Sequence, residues 1–401
     1  MTALALALLA IGILGGAVVA VLLARTALYR PPIPREIPQE ERNFFRAVFV
    51  AARREFLFAA WGQFPPGLQR FDARVYAAGG FVLIRDCYLS DTAGISRVER
   101  ELVATTVSVS NTCYYCTHNH SALLQASPIS GIEKLVMERE VDQIEDPRHR
   151  QLARFALMAK QPANLPELAS AFTAVELSDI AMTLFGFNYV NRIVDVVGPT
   201  TGIQREAFAK PPPTALATIL GLKRSYEPGA ALDAIRPWSN QVRMASIDDD
   251  DDAIRRWTLD DPAKRDSVRY VWSMISAVAA ELFDAEVLVA IRRHLRSWTG
   301  GEYPLTGHWH REHTKSLSTE NNRRLGEFGI LIARCAHRVD PDLVLQACDG
   351  SLRKRLVLVA YAACAAALRV NEWLPMNAAR GAVSPDNTPT RPNAEPRTVF
   401  P

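Results

Sequence analysis

The sequence predicts an all-α protein, and three observations carry that expectation. Apolar residues recur at helical spacing in most segments between residues 43 and 198. Strand-like alternation joined by hairpin turns is scarce. Proline-rich stretches, "YRPPIPREIPQEER" and "AKPPPTALATI", punctuate the helical runs where helices must stop. With 401 residues and 48% hydrophobic composition, the chain has room for two ordinary domains and sizeable cores. The 46 basic and 43 acidic residues leave a net charge of +3, with no basic run, so nothing points to nucleic acid. Six cysteines are too few for a disulfide scaffold.

Taken in order, residues 1–28 are expected to form a transmembrane anchor. Ala3 to Ala24 carry no charge, and as a helix would span about 33 Å against a bilayer core of roughly 30 Å. Arg25, Arg30 and Arg35 follow the apolar run and no basic residue precedes it. That asymmetry favours a single-pass protein of the cell membrane with its body in the cytoplasm over a cleaved signal. Residues 29–42, with four prolines, read as an extended spacer.

Residues 43–210 read as the main helical domain. "RNFFRAVFVAARREFLFAAWGQF" is amphipathic, its first packed helix rather than a helix on the membrane surface. "GGFVLIRDCYL" fits a short strand or a helix. "GISRVERELVATTVSVS" and "RHRQLARFALMAK" are helical, and "ELSDIAMTLFGFNYVNRIVDVVG" is a long helix with Ser178 as its expected N-cap. Residues 211–250 form a linker and 251–380 a second helical domain, with a disordered tail at 381–401. The five aspartates Asp248–Asp252 are expected on a solvated loop and helix start, since adjacent carboxylates cannot all converge on one ion. His308, His310 and His313 lie among glycines and a proline and read as a solvated loop rather than a metal site. Cys87, Cys335, Cys348 and Cys364 read as small buried hydrophobes. Residues 150–157 match 323–330 at Arg, Leu and Phe, and "NRIVDVVG" faintly matches "LRVNEWLP". These echoes suggest a degenerate tandem copy that has lost the chemistry of the first, with "SMISAVAAELFDAEVL" where its cysteine pair would stand.

That chemistry centres on "SNTCYYCTHNHSALL". Asn111 is expected to cap a helix carrying Cys113 and Cys116 one turn apart on one face. His120, four residues past Cys116, shares that face. A helix N-terminus and an imidazole both favour thiolate, and Glu101 on the preceding helix can orient the ring or take a proton through water. Four zinc ligands are disfavoured because Cys116 and His118 point opposite ways on one helix. A purely structural disulfide three residues apart would remove little unfolded-state entropy.

The pattern Glu101-x11-Cys113-x2-Cys116-x3-His120, with its lead-in "SRVERELVATTVSVSNTCYYCTHNH" and the later "LFGFNYVNRIVDVVG", resembles the alkylhydroperoxidase D-like branch of the carboxymuconolactone decarboxylase family. The resemblance covers roughly residues 65 to 200. It implies an all-helical domain, homo-oligomeric assembly and thiol peroxidase or disulfide oxidoreductase chemistry. In that scheme Cys116 attacks a hydroperoxide, Cys113 condenses with it, and His120 and Glu101 handle the proton. A separate dithiol, protein or lipoyl-type, would reduce the pair, and no metal, flavin or haem is needed. Tyr115 stands where some members carry histidine, and a phenol relays protons less readily at neutral pH. Two other readings stand beside this one: a decarboxylase-type enzyme without need of the cysteines, and a non-enzymatic, membrane-tethered helical interaction protein.

Overall fold

The computed structural model describes residues 72–90, 92–197, 226–239, 244–301, 303 and 307–378. The expected anchor, the proline spacer, the amphipathic segment from residue 43, the linker up to residue 225 and the tail from residue 381 lie outside them. No helix among the described residues is long and apolar enough to cross a membrane.

The described chain is helical throughout, apart from one isolated parallel bridge between Ser90 and Tyr226. In the first half, α1 (Tyr76–Tyr88) precedes α2 (Arg97–Ser110), α3 (Tyr114–Gln125) and α4 (Ile132–Met137). Then come α5 (Pro147–Leu157), α6 (Leu165–Ala169) and α7 (Ala174–Val197). The second half holds α8 (Ala230–Ser239), α9 (Asp248–Thr258), α10 (Pro262–Leu282) and α11 (Ala285–Ser297). It closes with α12 (Glu320–Cys335), α13 (Pro341–Ala347) and α14 (Leu352–Glu372).

Start signals in the sequence account for several of the helix beginnings. Ser96 and Glu99 form a reciprocal capping box at α2. Asp146, Asp261, Asp340 and Ser351 cap α5, α10, α13 and α14, with proline in the first turn of the first three. The long helix α7 corrects one expectation. Thr173 caps it, accepting from Glu176 N at 3.2 Å while Glu176 reaches back to Thr173 N at 2.7 Å. Ser178 instead lies inside the helix, buried, and receives the Lys264 ammonium at 3.0 Å.

The segment open to either strand or helix, "GGFVLIRDCYL", is helical. It belongs to α1, whose widened backbone pairs i with i+5, as in Leu89 N to Ile84 O at 3.1 Å. Almost every side chain of α1 is buried. A Cβ on Gly79 would lie 2.1 Å from the Tyr189 hydroxyl, so only glycine lets α1 and α7 approach this closely.

α2 is buried along nearly its whole length and packs against α3, α5 and α7. The two halves join where α7 lies along α14 and α1 lies along α10. α14 presents buried Ala360, Ala362, Ala363, Ala365, Ala366 and Ala367. Such small side chains let helix axes come close. Polar ties cross the same junction. Lys264 pairs with buried Asp179 at 2.6 Å, Asn371 donates to Ala181 O at 2.8 Å, and Arg192 donates to Ala333 O at 2.9 Å.

Candidate active site

The cysteine pair is aimed by the end of α2. Thr112 N donates to Val109 O at 3.1 Å and Cys113 N to Ser108 O at 3.0 Å, with Thr112 at φ 62°. This is a Schellman stop, in which a left-handed residue turns the chain out of the helix. The position usually takes glycine, and a β-branched threonine there is strained by about 1–2 kcal/mol. Cys113 consequently becomes the N-cap residue of α3, with extended backbone, rather than a member of its first turn. Asn111 does not cap α3, contrary to expectation. It closes α2, and its amide donates to Asn191 Oδ1 at 2.9 Å, tying the turn to α7.

The geometry still brings the two sulfurs together. Cys113 Sγ and Cys116 Sγ stand 2.9 Å apart as free thiols, 0% and 2% exposed. Burial, then the neighbouring Cys116 and the Asp195 carboxylate, push the Cys113 thiol well above its usual range. Tyr115, packed beside both sulfurs, has its phenol pushed up to about 12, chiefly by burial. It keeps its proton at neutral pH and so cannot serve as a base there.

Glu101 is fully buried in the middle of α2 and is the hub of a polar cluster. One carboxylate oxygen meets His120 Nδ1. The other accepts from the Tyr88 hydroxyl and from Arg97 Nη1 at 2.9 Å. Arg97 Nη2 also donates to the Tyr88 oxygen at 2.8 Å, and its guanidinium carbon sits 4.4 Å over the Tyr88 ring. Phe187 of α7 closes the apolar side, its ring edge-on to both Tyr88 and His120 at 4.7 Å. Burial raises the Glu101 pKa, but the charges of His120 and Arg97 with their hydrogen bonds outweigh it and hold the carboxyl below its usual range. A carboxylate acceptor at Nδ1 fixes the ring's orientation and favours a proton on that nitrogen.

Of the four residues singled out in the sequence, the structure joins Glu101 directly to His120 and Cys113 directly to Cys116. The ring and the second thiol share one face of α3, four residues apart. Tyr88 and Arg97 escaped the sequence reading. Arg97 lies four residues before Glu101, a helical ion-pair spacing that the sequence does show. Nothing local announces Tyr88, which arrives from α1.

Two surface readings need correction. Asp250 is not solvated: it is buried, accepts from Trp272 Nε1 at 2.7 Å and pairs with Arg292. His310 is likewise buried, in a short turn Trp309–His313, while His308 and His313 are exposed. No group of three metal-ligating side chains gathers among the described residues. The four lone cysteines are buried as expected.

Among the described residues, helices hold a buried pair of free thiols and, on the helix that starts between them, a ring bound to a buried carboxylate. No family model matches the chain. It is similar, at 24% identity over 365 residues, to a protein of Mycobacterium tuberculosis named alkyl hydroperoxide reductase. The match covers 87% of this chain and 96% of that relative, so it takes in both helical halves.

Proposed function

We propose that the protein is a thiol-dependent peroxidase of the alkylhydroperoxidase D-like kind. The carrying observation is the pairing of two clusters on adjoining helices. Reduced sulfurs lie 2.9 Å apart, and a buried Glu101–His120 couple shares the face of Cys116. The likeness to a protein named alkyl hydroperoxide reductase supports the same reading.

His120 Nε2 takes the proton of Cys116, and Glu101 stabilises the imidazolium that forms. The Cys116 thiolate attacks the terminal oxygen of a hydroperoxide ROOH. The S–O bond forms as the O–O bond breaks, and the alkoxide leaves as ROH with the proton held on His120. The Cys113 thiol then attacks the sulfur of the Cys116 sulfenic acid, giving a disulfide and water. Bonding distance is about 2.05 Å, within a small side-chain rotation of the observed contact. An external dithiol, protein-borne or lipoyl-type, exchanges with the disulfide and restores both thiols. Arg97 and Tyr88 hold Glu101 ionised and oriented.

The proposal extends to location and assembly. The apolar residues 1–28 tether a cytoplasmic catalytic body to the cell membrane, and the protein forms homo-oligomers. Deleting residues 1–28 should then move it from the membrane fraction to the soluble one.

The decisive test is hydroperoxide-dependent oxidation of an added dithiol. Cys116→Ser should reduce it to the uncatalysed rate. Cys113→Ser should still form one sulfenic acid per chain, trapped by a dimedone-type reagent, without turnover. A Cys116→Ser protein that keeps full activity overturns the assignment.

A further inference from the structure

The dithiol hangs from a turn that α7 grips at two points. Asn191, 0% exposed, uses both ends of its side-chain amide. Its Nδ2 donates to the Ser108 hydroxyl at 3.0 Å, and its Oδ1 accepts from Asn111 Nδ2 at 2.9 Å. Ser108 is also the residue whose carbonyl accepts from Cys113 N at 3.0 Å, and Asn111 stands two residues before Cys113. One side chain of α7 therefore spans the stretch that aims Cys113. Asn188, one turn earlier and also buried, extends the connection. Its Oδ1 lies 3.3 Å from Asn111 Nδ2 and accepts from Arg192 Nη1 at 3.1 Å. Arg192 Nε in turn donates to Ala333 O of α12 at 2.9 Å.

A disulfide needs its sulfurs at about 2.05 Å, and the two thiols stand at 2.9 Å. How readily the bond forms depends on how well that approach is held in place. Cys116 belongs to the regular helix α3, whereas Cys113 is its extended N-cap and takes its position from the turn before it. Thr112, at φ 62°, is strained in that turn. The turn is therefore held by its surroundings rather than by its own backbone preference. A buried amide paired at both ends fixes one arrangement of such a segment.

We propose that Asn191 is a positioning residue that holds Cys113 within reach of Cys116, with Asn188 and Arg192 anchoring it to the second half. The second half then takes part in the chemistry without contributing a reacting atom. Releasing the grip lets the turn drift and lowers the effective concentration of one thiol at the other. Cycling between dithiol and disulfide is all this requires. Only the formation of a sulfenic acid rests on the peroxidase reading.

Equilibration of the full chain with reduced and oxidised glutathione tests the proposal. Each disulfide formed in the protein reduces one glutathione disulfide to two thiols, and mass spectrometry of quenched, alkylated samples gives the fraction oxidised. Asn191→Ala should form the disulfide with an equilibrium constant about tenfold below wild type, the worth of one buried hydrogen bond. That is a potential about 30 mV more oxidising. Asn111→Ala, at a half-buried residue, should act the same way, and it decides the outcome if Asn191→Ala does not fold. Asn371→Ala removes a buried tie of the same junction, to Ala181 O toward the other end of α7, and should stay within twofold of wild type. In a single turnover with a hydroperoxide, Asn191→Ala should form the Cys116 sulfenic acid at the wild-type rate and resolve it about tenfold more slowly. An unshifted equilibrium in both asparagine variants of the turn, or an equal shift in Asn371→Ala, overturns the proposal. If wild type forms no sulfenic acid while the equilibria shift as expected, the peroxidase reading falls and the positioning role stands.

Discussion

The two halves of the described chain both close with a short helix followed by a long one, and differ in what lies midway. The first goes from the long α1 through α2 to α5, the short α6 and the long α7; the second from α10 through α11 to α12, the short α13 and the long α14. The matching segments 150–157 and 323–330 fall on α5 and α12, at the same rank in that order. Between α2 and α5 the first half inserts α3 with its dithiol. Between α11 and α12 the second half has a loop with the turn Trp309–His313 and no cysteine. Residues 273–288, where the sequence reading places the lost cysteine pair, join α10 to α11.

What fills the second insertion is an aromatic and imidazole cluster. The His294 and His313 rings lie 4.3 Å apart, and Arg334 sits 5.5 Å over Trp309. Burial, then His313 and Arg334, lower His294 to about 3, so it stays neutral and can accept from Arg334. The difference places the cysteine pair in a segment that only the first half has, and Glu101, in the helix before it, meets its ring there. A carboxylate buried in the helix before that segment, as Glu101 is, is useful only if a partner ring arrives from the insert.

The sharpest contrast should be catalytic. Glu101→Gln and His120→Gln should each lower the dithiol peroxidase rate about 100-fold, the usual worth of a positioned acid–base group. His313→Gln, at an exposed histidine of the second insert, should leave the rate within twofold. Equal losses in the two halves would break the comparison. Tyr88→Phe should cost about tenfold, because Arg97 still pairs with Glu101 and only one of its hydrogen bonds is lost.

Stability should separate the halves next. A Cβ at Gly79 meets the rigid Tyr189 phenol at 2.1 Å, whereas one at Gly329 meets the movable Ile291 Cδ1 at 2.2 Å. Gly79→Ala should therefore destabilise by about 2–3 kcal/mol and Gly329→Ala by about 1 kcal/mol or less in denaturant titrations. The reverse order would show that α1 has more freedom than its packing suggests.

A pH series tests the junction of the halves. Asp86 of α1 is buried and accepts from Ala231 N, Leu232 N and the Ser267 hydroxyl, so it caps α8 from the other half. Burial raises its carboxyl to about 6, against the lowering by these bonds and by Arg85. A carboxyl raised in the folded state contributes stability that is fully present below its unfolded pKa, near 4, and lost as pH rises through about 6. Across that window the group should account for roughly 3 kcal/mol. Asp86→Asn should flatten the slope of stability against pH between 4 and 6, measured by denaturant midpoints at each pH. An unchanged slope would place the titrating group elsewhere.

The residue types and spacings by themselves determined much of this protein. Apolar periodicity predicts the helices, and Ser96–Glu99, Asp146-Pro147 and Asp261-Pro262 mark their starts, because capping is a local exchange between a side chain and the next turn. The spacing of Cys113, Cys116 and His120 names the candidate chemistry for the same reason: α3 with its N-cap is one local unit, and Glu101 joins it from the preceding helix α2. Only the tertiary structure decided the rest. Tyr88 reaches Glu101 from a helix nine residues upstream of Arg97, and Phe187 reaches both rings from α7. Asp250 and His310, read locally as solvated, are buried because other helices fold over them. Contacts between distant segments depend on how whole helices pack, and that is a property no short window of sequence contains.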